Sequence, residues 1–230
     1  MRILAVSDEE CAALWDYYTP GKLDDCDLIL GCGDLKASYL SFLVTMSRGR
    51  LLYVPGNHDE GYDRNPPDGC ENIDGHLVEY NGIRILGFGG CMRYRPGANQ
   101  YTDREMERRV RSVRHALKKC GGVDIVIAHA PPKGIGDLDD PAHTGFEAFV
   151  ELIDEFRPSF FLHGHTHLRY LPSFPREQTR GETRVINVSE RYRLEIPDRP
   201  FPAEQSGELI WRTRHREKDE FHIRTNAKGT

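Results

Sequence analysis

Short apolar runs alternate with longer amphipathic stretches along this chain, and that alternation predicts its elements. Ile3 to Val6, Asp27 to Gly31 and Leu51 to Val54 read as buried strands, rich in Leu, Ile and Val. Between the last two, Ser38 to Met46 carries Tyr39, Leu40, Leu43 and Val44 on one side, which is helical spacing. Cys11 to Trp15, directly after three acids, reads as a helix whose first turn those acids suit. The rhythm is strand, helix, strand, and it implies parallel strands joined by right-handed crossovers.

The texture then changes. His76 to Tyr80 and Ile83 to Phe88 flank Asn81-Gly82, a hairpin signature. Thr102 to Lys119 is a charged helix with Thr102 and Glu105 spaced as a capping box, and Gly121-Gly122 ends it. Val123 to Ala128 predicts a strand, Phe146 to Phe156 a helix, Phe160 to Leu162 and Thr183 to Val188 two more strands. Glu208 to Arg212 and Glu220 to Arg224 predict a closing hairpin. Gly61 to Gly75 and the proline-bearing Glu190 to Gln205 read as surface loops. Together these predict one α/β domain with a mixed sheet or two stacked sheets, flanked by helices.

In folds with parallel strands, ligands gather beyond the carboxyl ends. After the first strand come Ser7-Asp8-Glu9-Glu10, and after the second Cys32-Gly33-Asp34. The third gives Pro55-Gly56-Asn57-His58-Asp59. The Val123 strand gives His129-Ala130-Pro131-Pro132, and the Phe160 strand His163-Gly164-His165-Thr166-His167. Five strands therefore end on residues able to bind a divalent metal. The donors are carboxylate, amide and imidazole, with no cysteine in a ligand position, which suits Mn²⁺, Fe or Zn²⁺ better than a thiolate site. The glycines beside Asp34, Asn57 and His165 permit close backbone approach. Taken singly, Asp34 is a helix cap, Asn57 a turn residue and His129 a satisfied core histidine; their joint occurrence makes them ligands.

Composition narrows the function. The 230 residues carry a formal net charge of −5, so no molecule-wide basic field invites nucleic acid. The basic run Arg212-Thr213-Arg214-His215-Arg216 reads as a solvated strand end. No apolar run reaches membrane-spanning length, and the acids after Val6 rule out a signal peptide. The six scattered cysteines fit free thiols in a cytoplasmic protein. No stretch speaks to oligomeric state.

Asp8 with its following acids, Gly33-Asp34, Gly56-Asn57-His58-Asp59, His129 and Gly164-His165-Thr166-His167 resemble the ordered motifs of the calcineurin-like metallophosphoesterases. The likeness runs over roughly residues 1 to 190, and the Gly-Asn-His-Asp and Gly-His-Thr-His motifs in this order make it specific. It implies a four-layer αββα sandwich of two mixed β-sheets flanked by helices, in a single domain over residues 1 to 230. It also implies a dinuclear centre. Asp8 and His167 would bind the first metal, Asp34 would bridge, and Asn57, His129 and His165 would bind the second. His58 would face the substrate phosphate, steadied by Asp59. His163 is structural, and His143 sits on a loop bordering the site as a candidate substrate contact.

The chain departs from the family pattern twice. The family normally carries histidine where Glu10 stands. Glu10 as a ligand gives a harder first site that favours Mn²⁺ among Mn²⁺, Fe, Zn²⁺ and Mg²⁺; Glu9 is expected to point elsewhere, towards solvent. The second departure is Val188-Ser189-Glu190, where a glycine often follows the strand. The implied chemistry is attack on phosphorus by a hydroxide bridging two ions about 3.5–4 Å apart, with His58 protonating the leaving oxygen. A small phosphoester is the expected substrate. The less positive site favours diesters over dianionic monoesters. A metal-binding scaffold of the same fold is the alternative, which the presence of His58 disfavours.

Overall fold

The computed structural model describes residues 1–197, 207–212 and 222–225. In chain order the elements are β1 (Arg2–Val6), β2 (Leu28–Gly31), α1 (Ala37–Met46), β3 (Arg50–Tyr53), β4 (Glu71–Asn72), β5 (His76–Tyr80) and β6 (Ile83–Phe88). There follow β7 (Cys91–Met92), β8 (Gln100–Tyr101), α2 (Asp103–Lys119), β9 (Ile125–Ala128), α3 (Glu147–Phe156) and β10 (Phe160–His163). The chain closes with β11 (Glu177–Arg180), β12 (Thr183–Asn187), β13 (Tyr192–Glu195), β14 (Gly207–Arg212) and β15 (His222–Thr225).

The strands form two large mixed sheets. The first runs β13-β1-β2-β3-β4, with β1 to β4 parallel and β13 antiparallel at the edge. The second runs β11-β12-β10-β9-β6-β5-β14-β15, with a parallel centre and antiparallel flanks. Both faces of each parallel region are covered, which is why these strands read as unbroken apolar runs.

Three apolar layers separate four structural ones. Ile3, Ala5, Leu28 and Leu30 of the first sheet meet Val78, Ile85, Ile125, Ile127 and Leu162 of the second. On the outer face of the first sheet, Leu4, Val6, Ile29 and Leu51 pack on Tyr39, Leu40 and Leu43 of α1. On the outer face of the second, Phe88, Val126 and Phe161 pack on α2 through Met106, Val110 and Val113, and on α3 through Phe149 and Ile153. Each such side chain contributes about 1.5–3 kcal/mol on full burial. The order is helix, sheet, sheet, helix, the αββα sandwich expected.

The capping box of α2 is present: Glu105 N–H donates to the Thr102 hydroxyl, and the Glu105 carboxylate accepts from Thr102 N–H at 2.7 Å. Three expectations are corrected. Cys11 to Trp15 holds only a 3₁₀ turn, Ala12–Leu14, because Trp15 leaves helical dihedrals to set its ring edge-on against Tyr39 and Phe42. The stretch from Glu190 is not all loop, since β13 buries Leu194 between the sheets. Gly61 to Gly75 is likewise not all loop, since β4 within it pairs with β3, and β11 lies in a segment that gave no strand signal, having no apolar side chain. Of the basic run, Arg212 ends β14 opposite His76; residues 213–216 lie outside the described residues, as do 198–206 and 220–221.

Candidate metal centre

Five loops converge above the carboxyl ends of β1, β2, β3, β9 and β10. Asp8, Asp34 and His165 all hold left-handed backbone conformations, with φ of 65°, 55° and 66°. A non-glycine residue there costs on the order of 1–3 kcal/mol, and such residues cluster at functional sites. Cross-loop hydrogen bonds hold them. The Ser7 hydroxyl is 3.0 Å from Cys32 O, and Asp8 N–H donates to Gly33 O at 3.1 Å, joining the first two loops. Asp8 Oδ1 accepts from His165 N–H at 2.9 Å, which ties the first sheet to the second. A Cβ on Gly164 would collide with Ser7 Oγ, and one on Gly56 with the Asp34 carboxylate.

Among the described residues, Asp34, His129 and His165 bring donor atoms within 4.8 Å of one another. Their protons are already directed. His129 Nδ1 lies 2.9 Å from Cys32 O, and a carbonyl only accepts, so this nitrogen carries hydrogen. His129 Nε2 then faces Asn57 Oδ1 at 3.0 Å and Asp34 Oδ2 at 3.3 Å, two acceptors around one ring nitrogen. His165 Nε2 donates to Ala142 O at 2.7 Å, leaving Nδ1 as a free lone pair. Such hydrogen bonds fix tautomer and ring orientation at metal sites. On the other side, Asp8 Oδ2 and His167 Nδ1 are buried and have no hydrogen-bond partner. Converging lone pairs and orphaned buried acceptors are the chemistry a cation satisfies, so this donor set fits divalent metal.

The charges agree. Burial pushes the Asp34 carboxyl up, but the His129 charge and hydrogen bond overcome it and hold Asp34 well below the usual carboxylate range. Burial opposes the charge on His129, yet Asp34 and then Asp8 raise its pKa to about 9. Burial holds Asp8 above the ordinary range against the pull of His129 and His167. Burial and the neighbouring His129 lower His165 to about 3, which keeps it neutral as a ligand must be. His163 is buried, bonded to Gly164 O at 3.0 Å, and desolvation lowers it to about 4.

The residues around this cluster divide. His58 is exposed, its backbone N–H donating to Asp34 Oδ1 at 2.8 Å. It lines an open cleft of about 450 Å³ with Glu10, Asp34, Lys36, Ser38 and Asn65. Asp59 does not bond the His58 ring. Its Oδ2 accepts from Asp34 N–H and Gly56 N–H, both at 2.7 Å, so it fastens two loops together. Desolvation raises its pKa to about 6. Glu10 engages Lys36: its Oε1 accepts from Lys36 N–H at 3.2 Å and lies 3.7 Å from the Lys36 ammonium. Glu9, expected to face solvent, instead sets Oε1 3.9 Å from His167 Nδ1 and Oε2 3.7 Å from Arg169. His143 takes both Asp140 oxygens on Nδ1 at 2.9 Å and rests its ring 5.1 Å from that of His165.

Sequence reasoning missed Ser7 and Lys36 as well as the placement of Glu9. No local pattern marks them; each acts through a residue from a distant loop. Glu190 keeps φ at 65°, the conformation the expected glycine would adopt, and its N–H donates to Ser7 O at 2.8 Å.

A family model, the calcineurin-like phosphoesterase superfamily domain, matches residues 1–191. Among curated proteins the chain is similar to a lariat debranching enzyme of Caenorhabditis briggsae, 24% identical over 202 aligned positions that take in 67% of this chain. The match spans only 37% of that relative's length. Among solved structures, one superposes with a TM-score of 0.60 at 15% identity, covering 97% of this chain and 98% of its own. The protein TT1561 of Thermus thermophilus superposes with a TM-score of 0.52 at 16% identity, over 82% and 89% of the two chains. At these identities the likeness speaks for the fold. No helix among the described residues is long and apolar enough to cross a membrane.

Proposed function

The chain belongs to the calcineurin-like phosphoesterase superfamily, whose general chemistry is metal-dependent phosphoester hydrolysis, and on that premise we propose that it is a phosphodiesterase with a two-metal centre. The observation that carries this reading is the meeting of Asp34, His129 and His165 donors beside the unpartnered Asp8 Oδ2 and His167 Nδ1. Asp8 and His167 would hold the first ion, Asn57, His129 and His165 the second, and Asp34 would serve both. Mn²⁺ is the favoured metal, as the mixed oxygen and nitrogen donors accept it readily. When bound, the ions supply Lewis acidity and an activated water.

The chain's own groups do the rest. Cys32 O and Ala142 O keep the rings turned with His129 Nε2 and His165 Nδ1 inward. Asp59 holds the Asp34 and Gly56 backbones, and with them the base of the His58 loop. His58, exposed on the cleft, donates the proton that the leaving oxygen needs, a role typically worth about 10²–10⁴-fold. His143, its Nδ1 fixed by Asp140, offers Nε2 to a substrate oxygen. Glu9 and Glu10 add negative charge near the site, and a singly charged diester is repelled less than a dianionic monoester. Six free thiols, four of them buried, suit a cytoplasmic protein. After residue 191, β13 pairs with β1 in the first sheet while β14 and β15 extend the second, in keeping with one domain.

Purified protein with Mn²⁺ should hydrolyse bis(p-nitrophenyl) phosphate faster than p-nitrophenyl phosphate. His58→Ala should lose about 10²–10⁴-fold of that rate while keeping its metal. Protein that binds Mn²⁺ and hydrolyses neither ester would instead be a metal-binding scaffold.

A further inference from the structure

Resting on the two-ion reading above, we propose that Glu9, and not Glu10, supplies the acidic donor that completes the first metal position beside Asp8 and His167. The starting point is the pair of orphaned atoms. Asp8 Oδ2 and His167 Nδ1 are buried without hydrogen-bond partners, and the Asp8 carboxyl feels the His167 charge. Glu9 Oε1 lies 3.9 Å from His167 Nδ1. That separation is too long for a hydrogen bond. Metal bonds of about 2.0–2.2 Å from each side reach across it once the two donors draw in by a few tenths of an ångström around an ion.

Glu9 is also free to serve. Among the described residues its carboxylate accepts no hydrogen bond, and its other contact is the Arg169 guanidinium, 3.7 Å away and itself largely exposed. Glu10 is engaged, with the Lys36 backbone N–H at 3.2 Å and the Lys36 ammonium at 3.7 Å. Drawing Glu10 towards the ions would strip Lys36 of both contacts at the head of α1.

The local backbone explains how the donor moves one residue back from the family's histidine position. On an extended strand Glu9 would point away from the face that Asp8 uses. Here Asp8 sits at φ 65°, and Glu9 N–H closes a tight turn onto Ser7 O at 2.7 Å. The turn breaks the alternation, so Asp8 and Glu9 both face His167. Glu10 is carried over to α1 and the His58 cleft. A carboxylate in place of an imidazole makes the first position harder, favouring Mn²⁺ or Mg²⁺.

The test is Mn²⁺ binding, by titration calorimetry on chelator-treated protein and by metal content after gel filtration, for wild type, Glu9→Ala, Glu9→Gln and Glu10→Ala. Circular dichroism checks that each variant is folded. Wild type should bind two ions. Both Glu9 variants should keep one and bind the other at least about tenfold more weakly, in line with the loss of a metal-site group. Glu10→Ala should bind both ions as wild type does. Glu9 variants that retain both affinities overturn the assignment, as does a selective loss in Glu10→Ala. A wild type that takes up fewer than two ions overturns the two-ion reading itself, and the assignment falls with it.

Discussion

Asp34, His129 and His165 reach one another from β2, β9 and β10 with ring protons already committed to backbone carbonyls. Asp8, Glu9 and His167 meet differently: Asp8 Oδ2 and His167 Nδ1 are buried without hydrogen-bond partners, and the exposed Arg169 stands nearby. The first half of the site is finished by the fold, so its donors are oriented before any ion arrives. The second half leaves those two atoms without hydrogen-bond partners, and on the proposed reading a cation completes it. Preorganised ligands bind with less ordering cost, so the half at His129 should fill first in a Mn²⁺ titration and the half at Asp8 second.

The sharpest way to break this contrast is to remove Asp34, the residue proposed to serve both halves. Asp34→Ala should abolish the ordered filling and lower diester hydrolysis by about 10³-fold or more, beyond the 10–100-fold typical of groups one step removed from a metal. Steady-state rates and metal content check it together. Asp59 tests the finished half alone. Asp59→Ala leaves the N–H groups of Asp34 and Gly56 without their acceptor and should cost about 2–4 kcal/mol in urea unfolding. Asp59→Asn keeps an acceptor there and should cost much less.

Titration distinguishes the halves more gently. With its pKa raised to about 9, His129 stabilises the metal-free fold fully below about pH 6.5, and that contribution is lost as pH rises through 9. The first Mn²⁺ to bind at pH 7 should therefore expel close to one proton, read from the buffer dependence of the binding enthalpy. Asp59 acts in the same sense over a lower pH window. Its pKa is raised to about 6, so the folded state holds a proton that the unfolded state releases near pH 4, and stability falls as pH rises across that window. Asp59→Asn should remove that part of the pH dependence. The smallest effect lies beneath the Asp8 half. Glu190→Gly relieves a left-handed non-glycine backbone and should raise stability by about 0.5–1 kcal/mol in urea unfolding, after the entropy glycine adds to the unfolded chain.

Much of the fold was legible because burial on both faces turns parallel strands into apolar runs. β1, β2, β3, β9, β10 and β12 all announced themselves this way. Edge strands did not. β11 has only polar side chains and is held by its ladder with β12 and by Glu177 contacts to Arg184 and Tyr192. β13 carries one buried leucine just ahead of a proline-rich stretch, which masked it. The donor residues were legible as types at strand ends, together with the glycines that let the loops close. Which way the acids after Asp8 point was not. Spacing sent Glu9 outward and Glu10 inward; in the fold Glu9 Oε1 lies 3.9 Å from His167 Nδ1 and Glu10 bonds the Lys36 N–H.

The sequence by itself determined the strands, their polar endings and the chemical kinds of donor, because hydrophobic period and residue type are local properties of the chain. The tertiary structure decided which donors meet and which lone pairs stay free. The hydrogen bond from His165 N–H to Asp8 joins residues 157 positions apart, and the tautomers of His129 and His165 are set by carbonyls from other loops. A side chain's direction depends on its own backbone dihedrals and on atoms that arrive from elsewhere in the chain, and neither is written in its immediate neighbours.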